Sequence, residues 1–384
     1  MLIEFGVKNF RSIKDKMTLS LLASSDHTHE DQLILEGNKR LLPVAVLYGA
    51  NASGKSNLLR ALQTMQDMVS GKSAQILKDK KLPYDCFKFT SIKEMPTEFE
   101  VFFFYQGIRY NYSFSYTDKE ILKEYLYYWP KGREALIFSR DNGKYLFREN
   151  ITEQETLAAR TPSNRLYLVA SNSWNLPQTE NAYRWFNENL SNPDEQDTPD
   201  ITISMETEKA KILNELLLAD LGITQYGINE TGDKPNVLMV HQVKENMENE
   251  KYPLPLENES AGTQRFFARI GPWLHALNEG RILIIDELEA SLHPLLTRRL
   301  VEMMQDPSVN TKGAQLLFTT HDVMLLDLSL LRRDQIWFTE KNPDTAATEV
   351  YSLWEFSPRK NKNIRNGYLQ GRFGAVPFLG GDFS

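Results

Sequence analysis

The sequence predicts an α/β protein: a parallel sheet carrying a phosphate-binding loop, with an antiparallel β lobe and a mostly helical insertion. Three observations predict it. First, the apolar runs "LPVAVLY" (Leu42–Tyr48), Ile282–Ile285 and Ala314–Phe318 each end in glycines, acids or a histidine. Buried parallel strands read this way, because α/β sheets place their ligands at the carboxyl ends of strands. Second, Thr97–Glu149 is rich in aromatic and β-branched residues, with turn pairs at Gln106-Gly107 and Asn142-Gly143 that suit antiparallel hairpins. Third, the roughly two hundred residues after the first glycine loop show no sustained heptads, which excludes a coiled coil there.

Bulk properties narrow the function classes. A chain of 384 residues can bury a substantial core. Its net charge of -7 argues against a uniformly basic nucleic-acid coat. The single cysteine, Cys86, reads as a packing residue and fits a reducing cytosol. The start "MLIEFGVKNFRS" lacks a secretory layout, and no apolar run approaches the roughly twenty residues of a membrane span. The expectation is a cytoplasmic protein with no membrane partner.

The first chemical motif is "GANASGKS", Gly49–Ser56, between the strand Leu42–Tyr48 and a helix marked by Leu58, Leu62, Met65 and Val69, with Gly71 as its stop. Strand, glycine loop and helix form the arrangement in which backbone N–H groups cradle phosphates. Lys55 would reach the β- and γ-phosphates of a nucleotide, and Ser56 would ligate Mg²⁺. In "RILIIDELEASLHP" (Arg281–Pro294), Asp286 ends a strand, where it suits the water shell of Mg²⁺. Glu287 follows and could orient or deprotonate an attacking water. His321, after the strand Ala314–Phe318, is placed to sense the γ-phosphate. His27 and His29 read as a solvated loop rather than a metal site. "SAGTQ" (Ser260–Gln264) opens a helix with apolar positions at Phe266, Phe267, Ile270, Trp273 and Leu274, which Pro272 should kink or interrupt. Small residues at such a start let N–H groups approach an anion.

In this order the motifs resemble an ABC-type ATPase of the SMC/Rad50/RecF branch, and within it the overcoming-lysogenization-defect (OLD)-like ATPases of bacterial anti-phage systems. "IEFGVKNFRSIKD" resembles the opening strand and turn of that branch, "GANASGKS" its Walker A, "ESAGTQR" its signature, "LIIDELEASLHP" its Walker B and D-loop, and "TTHD" its H-switch. "GRFGAVPFL" resembles endings common among stand-alone members. The resemblance implies a P-loop NTPase of ABC-ATPase head type that uses ATP and Mg²⁺. It implies nucleotide contacts from Arg11, Gly49, Asn51, Ser53, Gly54, Lys55, Ser56 and Asn57, metal contacts from Ser56 and Asp286, and catalytic roles for Lys55, Glu287 and His321. It also implies a head-to-tail homodimer, in which Ser260 and Gly262 of one copy contact the γ-phosphate bound by the other. Family signatures usually read Leu-Ser-Gly-Gly-Gln or -Glu, whereas here Ala261 and Thr263 flank a single glycine.

The chain divides into residues 1–149 (Walker A and β lobe), a mostly helical insertion at 150–235, and 236–384 (signature to basic tail). The insertion reads as a compact, partner-docking lobe, with a solvated break at "NPDEQDTPD" (192–200). "NRLYLVAS" (Asn164–Ser171) reads as a strand, followed by three candidates for the Q-loop of ABC ATPases: Asn172, Asn175 and Gln178. After His321 about sixty residues remain, too few for an ordinary catalytic domain such as the TOPRIM nuclease of full-length OLD proteins. They read as two strands, "QIWFT" and "EVYSLWEF", and a tail. Its Arg359, Lys360, Lys362, Arg365 and Arg372 suit either solvent or a phosphate-tracking or partner-binding role. The leading expectation is an ATPase that controls a separate effector, a nuclease or toxin, in anti-phage defence. The alternative is a RecF/SMC-like ATPase that binds DNA directly in repair or maintenance.

Overall fold

A computed structural model of the chain describes residues 1–70, 80–90, 95–193, 199–219, 222–229, 235–245, 248–356 and 363–377. The chain begins with β1 (Leu2–Lys8), β2 (Met17–Ser20), β3 (Ile34–Glu36), β4 (Lys39–Leu41) and β5 (Val44–Gly49), and then forms α1 (Lys55–Val69). A meander follows: β6 (Thr97–Tyr105), β7 (Ile108–Tyr116), β8 (Ile121–Trp129), β9 (Ala135–Asp141) and β10 (Lys144–Phe147). Next come α2 (Ile151–Arg160), α3 (Tyr167–Asn172), α4 (Pro177–Glu188), β11 (Leu190–Ser191), α5 (Asp200–Ser204) and α6 (Lys209–Leu218). The remaining elements are β12 (Ile223–Asn229), β13 (Asn236–Glu245), β14 (Glu248–Pro255), α7 (Ala261–Glu279), β15 (Ile282–Ile285), α8 (Pro294–Gln305), β16 (Gln315–Thr319), β17 (Ile336–Lys341), β18 (Thr348–Ser352) and α9 (Ile364–Leu369).

The central sheet runs β11-β15-β16-β5-β17-β18. Its pairs are parallel from β11 to β17, and β18 closes the edge antiparallel. Side chains alternate along each strand, so the sheet serves two cores. Ala45, Leu47, Ile282, Ile284 and Leu317 face the core shared with α1 and the antiparallel sheet. Val44, Val46, Tyr48, Leu283, Ile285, Leu316 and Phe318 face the core built with α7 and α8. This explains why the three strands read as unbroken apolar runs.

The seven-stranded antiparallel sheet, β10-β9-β8-β7-β6-β1-β2, bears out the aromatic β lobe. Its two-residue turns are as the sequence indicated: Gln106 and Gly107 have φ of 50° and 74°, and Asn142 and Gly143 have 46° and 77°. Such paired left-handed residues match the twist of a hairpin. The aromatics pack inward, with the Phe103 and Trp185 rings stacked at 4.2 Å.

Several expectations are corrected. Tyr167–Ser171, read as part of a strand, lies in helix α3. The buried Glu124 carboxylate accepts the Tyr167 N–H at 2.7 Å and the Leu168 N–H at 2.9 Å, capping that helix from another sheet. The stretch 150–235 does not pack as a lobe of its own. Side chains of α2, α3 and α4 join one core, those of α6 and β12 join the other, and β11 extends the central sheet. A three-stranded sheet, β12-β13-β14, crosses residue 235. "EVYSLWEF" is strand only to Ser352, and Leu353–Phe356 is a 3₁₀ turn.

Pro272 does not interrupt α7, which is helical throughout. Proline cannot supply the N–H that the Ala268 carbonyl would normally accept. Thr202 of α5 repairs this stretch. Its hydroxyl accepts the Gly271 N–H at 3.1 Å and donates to the Phe267 carbonyl at 2.7 Å, bridging a pair that a regular helix joins directly. A Cβ at Gly271 would lie 2.3 Å from the Thr202 hydroxyl, so only glycine fits.

Among the described residues, no helix is long and apolar enough to cross a membrane, and no group of three or more His, Cys, Asp or Glu side chains is arranged to hold a metal by itself. His27 instead contacts Glu30, and His29 contacts the Leu328 carbonyl. Gly71, Arg359, Lys360, Lys362 and most of the acidic break, residues 194–198, lie outside the described residues.

Candidate functional site

The site forms where β5, β15 and β16 end side by side. Lys55, at the start of α1, is buried, and its ammonium donates to the carbonyls of Gly49 (2.8 Å) and Ala50 (3.1 Å). Burial pushes its pKa below the usual 10.5, while the nearby Asp286, Glu287 and Glu289 carboxylates act in the opposite direction. Ser56 Oγ donates to Asp286 Oδ1 at 2.9 Å, which joins the helix start to the acidic strand end. Thr319 Oγ1 donates to the same Asp286 oxygen at 2.6 Å and accepts the Glu287 N–H at 2.8 Å.

The backbone here departs from the ordinary. Ala52 (φ 62°) and Gly54 (φ 106°) are left-handed within the loop, as are Asn9 and Arg11 in the N-terminal turn. Glu287 (φ 53°) and Ser291 (φ 59°) are left-handed after β15. At the non-glycine residues among these, left-handed backbone costs about 1–3 kcal/mol each and collects at functional sites. In the loop it resembles the alternating pattern that turns successive N–H groups toward an anion.

The predicted residues fall into four groups. Gly49, Ser53, Gly54, Lys55, Ser56, Asp286 and Glu287 are brought together, with Asn51 exposed at the loop tip. Asn57 turns to Ser12, donating to its hydroxyl at 2.7 Å, and Arg11 lies 3.0 Å from Asp85 in an ion pair. His321 is exposed at the end of β16, with its N–H held by Glu289 Oε1 at 2.6 Å.

Ser260 and Gly262 stand apart. Ser260 caps α7, its hydroxyl accepting the Thr263 N–H at 3.1 Å. A Cβ built at Gly262 would meet the Ser291 carbonyl at 3.1 Å and Ser260 Oγ at 3.8 Å, and no P-loop atom within 4 Å. The stretch before the cap is fixed by His241 of β13, 2.6 Å from Glu259, and by Gln264, which donates to the Glu257 and Glu259 carbonyls.

Sequence reading missed several members of the site. A cleft of about 270 Å³ is lined by Ser56, Arg60, Asp286 and Glu287, and also by Asn192, Arg265 and Arg269. Asn192 directly follows β11, so the polar residue that leaves the edge of the sheet beside the cleft is Asn192. Asn172, Asn175 and Gln178 lie in or between α3 and α4. A two-residue strand gives too little pattern to be read in advance. Thr319 had a signal, since it stands at the same strand end as His321. Arg365, assigned to a phosphate-tracking or solvated tail, donates instead to the Val323 and Met324 carbonyls just beyond His321.

A family model described as "AAA domain, putative AbiEii toxin, Type IV TA system" matches residues 44–327, from β5 to just past His321. Two similar solved structures are the SMC head domain from Thermotoga maritima and the Smc head domain with an extended coiled coil, bound to the C-terminal domain of ScpA, derived from Pyrococcus furiosus. The first is 11% identical and covers 91% of this chain and 98% of that one, with a TM-score of 0.44. The second is 12% identical and covers 93% and 97%, with a TM-score of 0.42. No curated protein matches the chain.

Proposed function

The chain belongs to the AAA-domain family described as putative AbiEii toxin, type IV TA system, and from that premise we propose that it hydrolyses ATP at sites shared between two copies of itself. We further propose that this cycle controls a separate effector, a nuclease or toxin, in anti-phage defence. The observation that carries the first proposal is the split in the site. Lys55, Ser56 and Asp286 converge, while a Cβ at Gly262 of the same chain would meet no P-loop atom within 4 Å.

The residues present fit magnesium and a nucleotide. Ser56 and Asp286 offer hard oxygen donors, the type magnesium takes. The buried Lys55 ammonium rests on two loop carbonyls that a phosphate would outcompete as a charged partner. When bound, magnesium-ATP supplies the phosphoanhydride to be cleaved and neutralises charge on its phosphates. Lys55 and the N–H groups from Gly54 to Ser56 hold the phosphate chain. Glu287 orients the attacking water and takes its proton, and Thr319 fixes the backbone that presents it. His321 reads the terminal phosphate, and Glu289 anchors its backbone. Ser260 and Gly262 of a second copy complete the phosphate cage.

Glu287→Gln tests this reading. It should lower turnover by about 10²–10³-fold while preserving ATP binding. In analytical ultracentrifugation, ATP should double the variant's mass. Normal turnover removes Glu287 from its role, and an unchanged mass with ATP bound removes the shared site. Salt-sensitive, ATP-dependent DNA binding by the purified chain would replace effector control with direct action on DNA.

A further inference from the structure

The loop Gly49–Ser56 is shaped by residues nearly three hundred positions away in sequence. Thr348, the first residue of β18, is buried, and its hydroxyl lies 2.8 Å from the Ser53 carbonyl and 2.7 Å from Ser12 Oγ. Its N–H donates to the Ser12 carbonyl at 2.7 Å. Asn57 Nδ2 donates to Ser12 Oγ at 2.7 Å. A hydroxyl has one proton, and a carbonyl can only accept. Thr348 Oγ1 is placed to donate to the Ser53 carbonyl and to Ser12 Oγ, and Ser12 Oγ also accepts from Asn57 Nδ2.

The consequence lies on the other edge of the same peptide. Peptide planarity sets the Ser53 carbonyl and the Gly54 N–H in opposite directions, so holding one aims the other. Gly54 has φ 106° and is the N-cap of the fifteen-residue α1, where an anion is favoured. A Cβ at Gly54 would lie 2.1 Å from Thr348 Oγ1, so the loop and β18 are closed against each other at a distance that only glycine permits. A second hydroxyl pair supports the same residue from β17. Ser53 Oγ lies 2.6 Å from Thr339 Oγ1, which in turn reaches the Tyr48 carbonyl at 3.2 Å.

We propose that Thr348 is a positioning residue for nucleotide binding: by holding the Ser53 carbonyl, it turns the Gly54 N–H toward the phosphate. This rests on the ATP reading above. It gives β18, an edge strand with no motif of its own, a role in setting affinity for a phosphate chain.

The test uses the full chain and a fluorescent N-methylanthraniloyl-ATP as probe. Thr348→Val keeps the shape and removes the hydroxyl, so probe affinity should fall about tenfold and KM should rise more than kcat falls. Thr348→Ser, which keeps the hydroxyl, should bind within about twofold of wild type. Valine binding as tightly as wild type overturns the proposal. So does equal weakening by serine and valine, which would assign the effect to the methyl group. Should the valine variant fail to fold, Thr348→Ala removes the same hydroxyl and should weaken binding about tenfold, with unchanged affinity again overturning the proposal. If wild type and Lys55→Ala both leave the probe unbound, the ATP reading itself has failed.

Discussion

The P-loop and the signature turn are both short Ser/Gly segments at the start of a helix, yet they are supported in opposite ways. The P-loop is held from outside itself. Ser53 and Lys55 are buried, and ties arrive from β17, β18 and the N-terminal turn. The signature turn is supported mostly by its own neighbours. Ser260 is capped by its own helix, and Ser260 and Ala261 are exposed. A loop that must aim several N–H groups at one anion needs its carbonyls tied down, whereas a turn offered to another molecule needs a rigid start and an open face. The difference suits two halves of one site that meet only when two chains do.

The largest expected effect strikes the braced half. Lys55→Ala should weaken ATP binding by at least about 100-fold, measured by probe titration, because a desolvated ammonium in contact with phosphate is lost. Its fold should survive, since burial already works against the charged lysine. Affinity within tenfold of wild type would break the comparison at its stronger side.

A smaller effect sharpens the signature half. Ser260→Ala removes a helix cap and should cost about 1 kcal/mol of stability in denaturant unfolding. Ser260→Asp should restore that stability, because aspartate also caps, while its negative charge opposes a phosphate. Stability recovered without ATP turnover would separate the two roles of one hydroxyl. Turnover recovered together with stability would reduce Ser260 to a cap.

Local signals carried much of the fold. β5, β15 and β16 were readable because they are buried on both faces, and the hairpin turns because Gln106-Gly107 and Asn142-Gly143 tolerate left-handed backbone. The misreadings have remote causes. Tyr167–Ser171 has strand-like side chains but a helix start fixed by Glu124, some forty residues earlier. Pro272 looked like a break until Thr202 bridged the ladder around it. The same holds at the site. The pattern Gly49–Ser56 announced the loop, but nothing near it in sequence announced Thr339 or Thr348, which shape it. The strand end at Asp286 was plain, whereas Asn192 follows a strand of two residues that only the assembled sheet defines.

The central claim is that Lys55 of one copy and Ser260 of another serve the same nucleotide, and mixing tests it most directly. Lys55→Ala and Ser260→Asp should each be inactive alone. Combined in equal amounts, they should recover ATPase activity to about a quarter of the wild-type rate, since half of randomly mixed dimers carry one intact site of two. Two folded variants that stay inactive when mixed at every ratio would contradict the account.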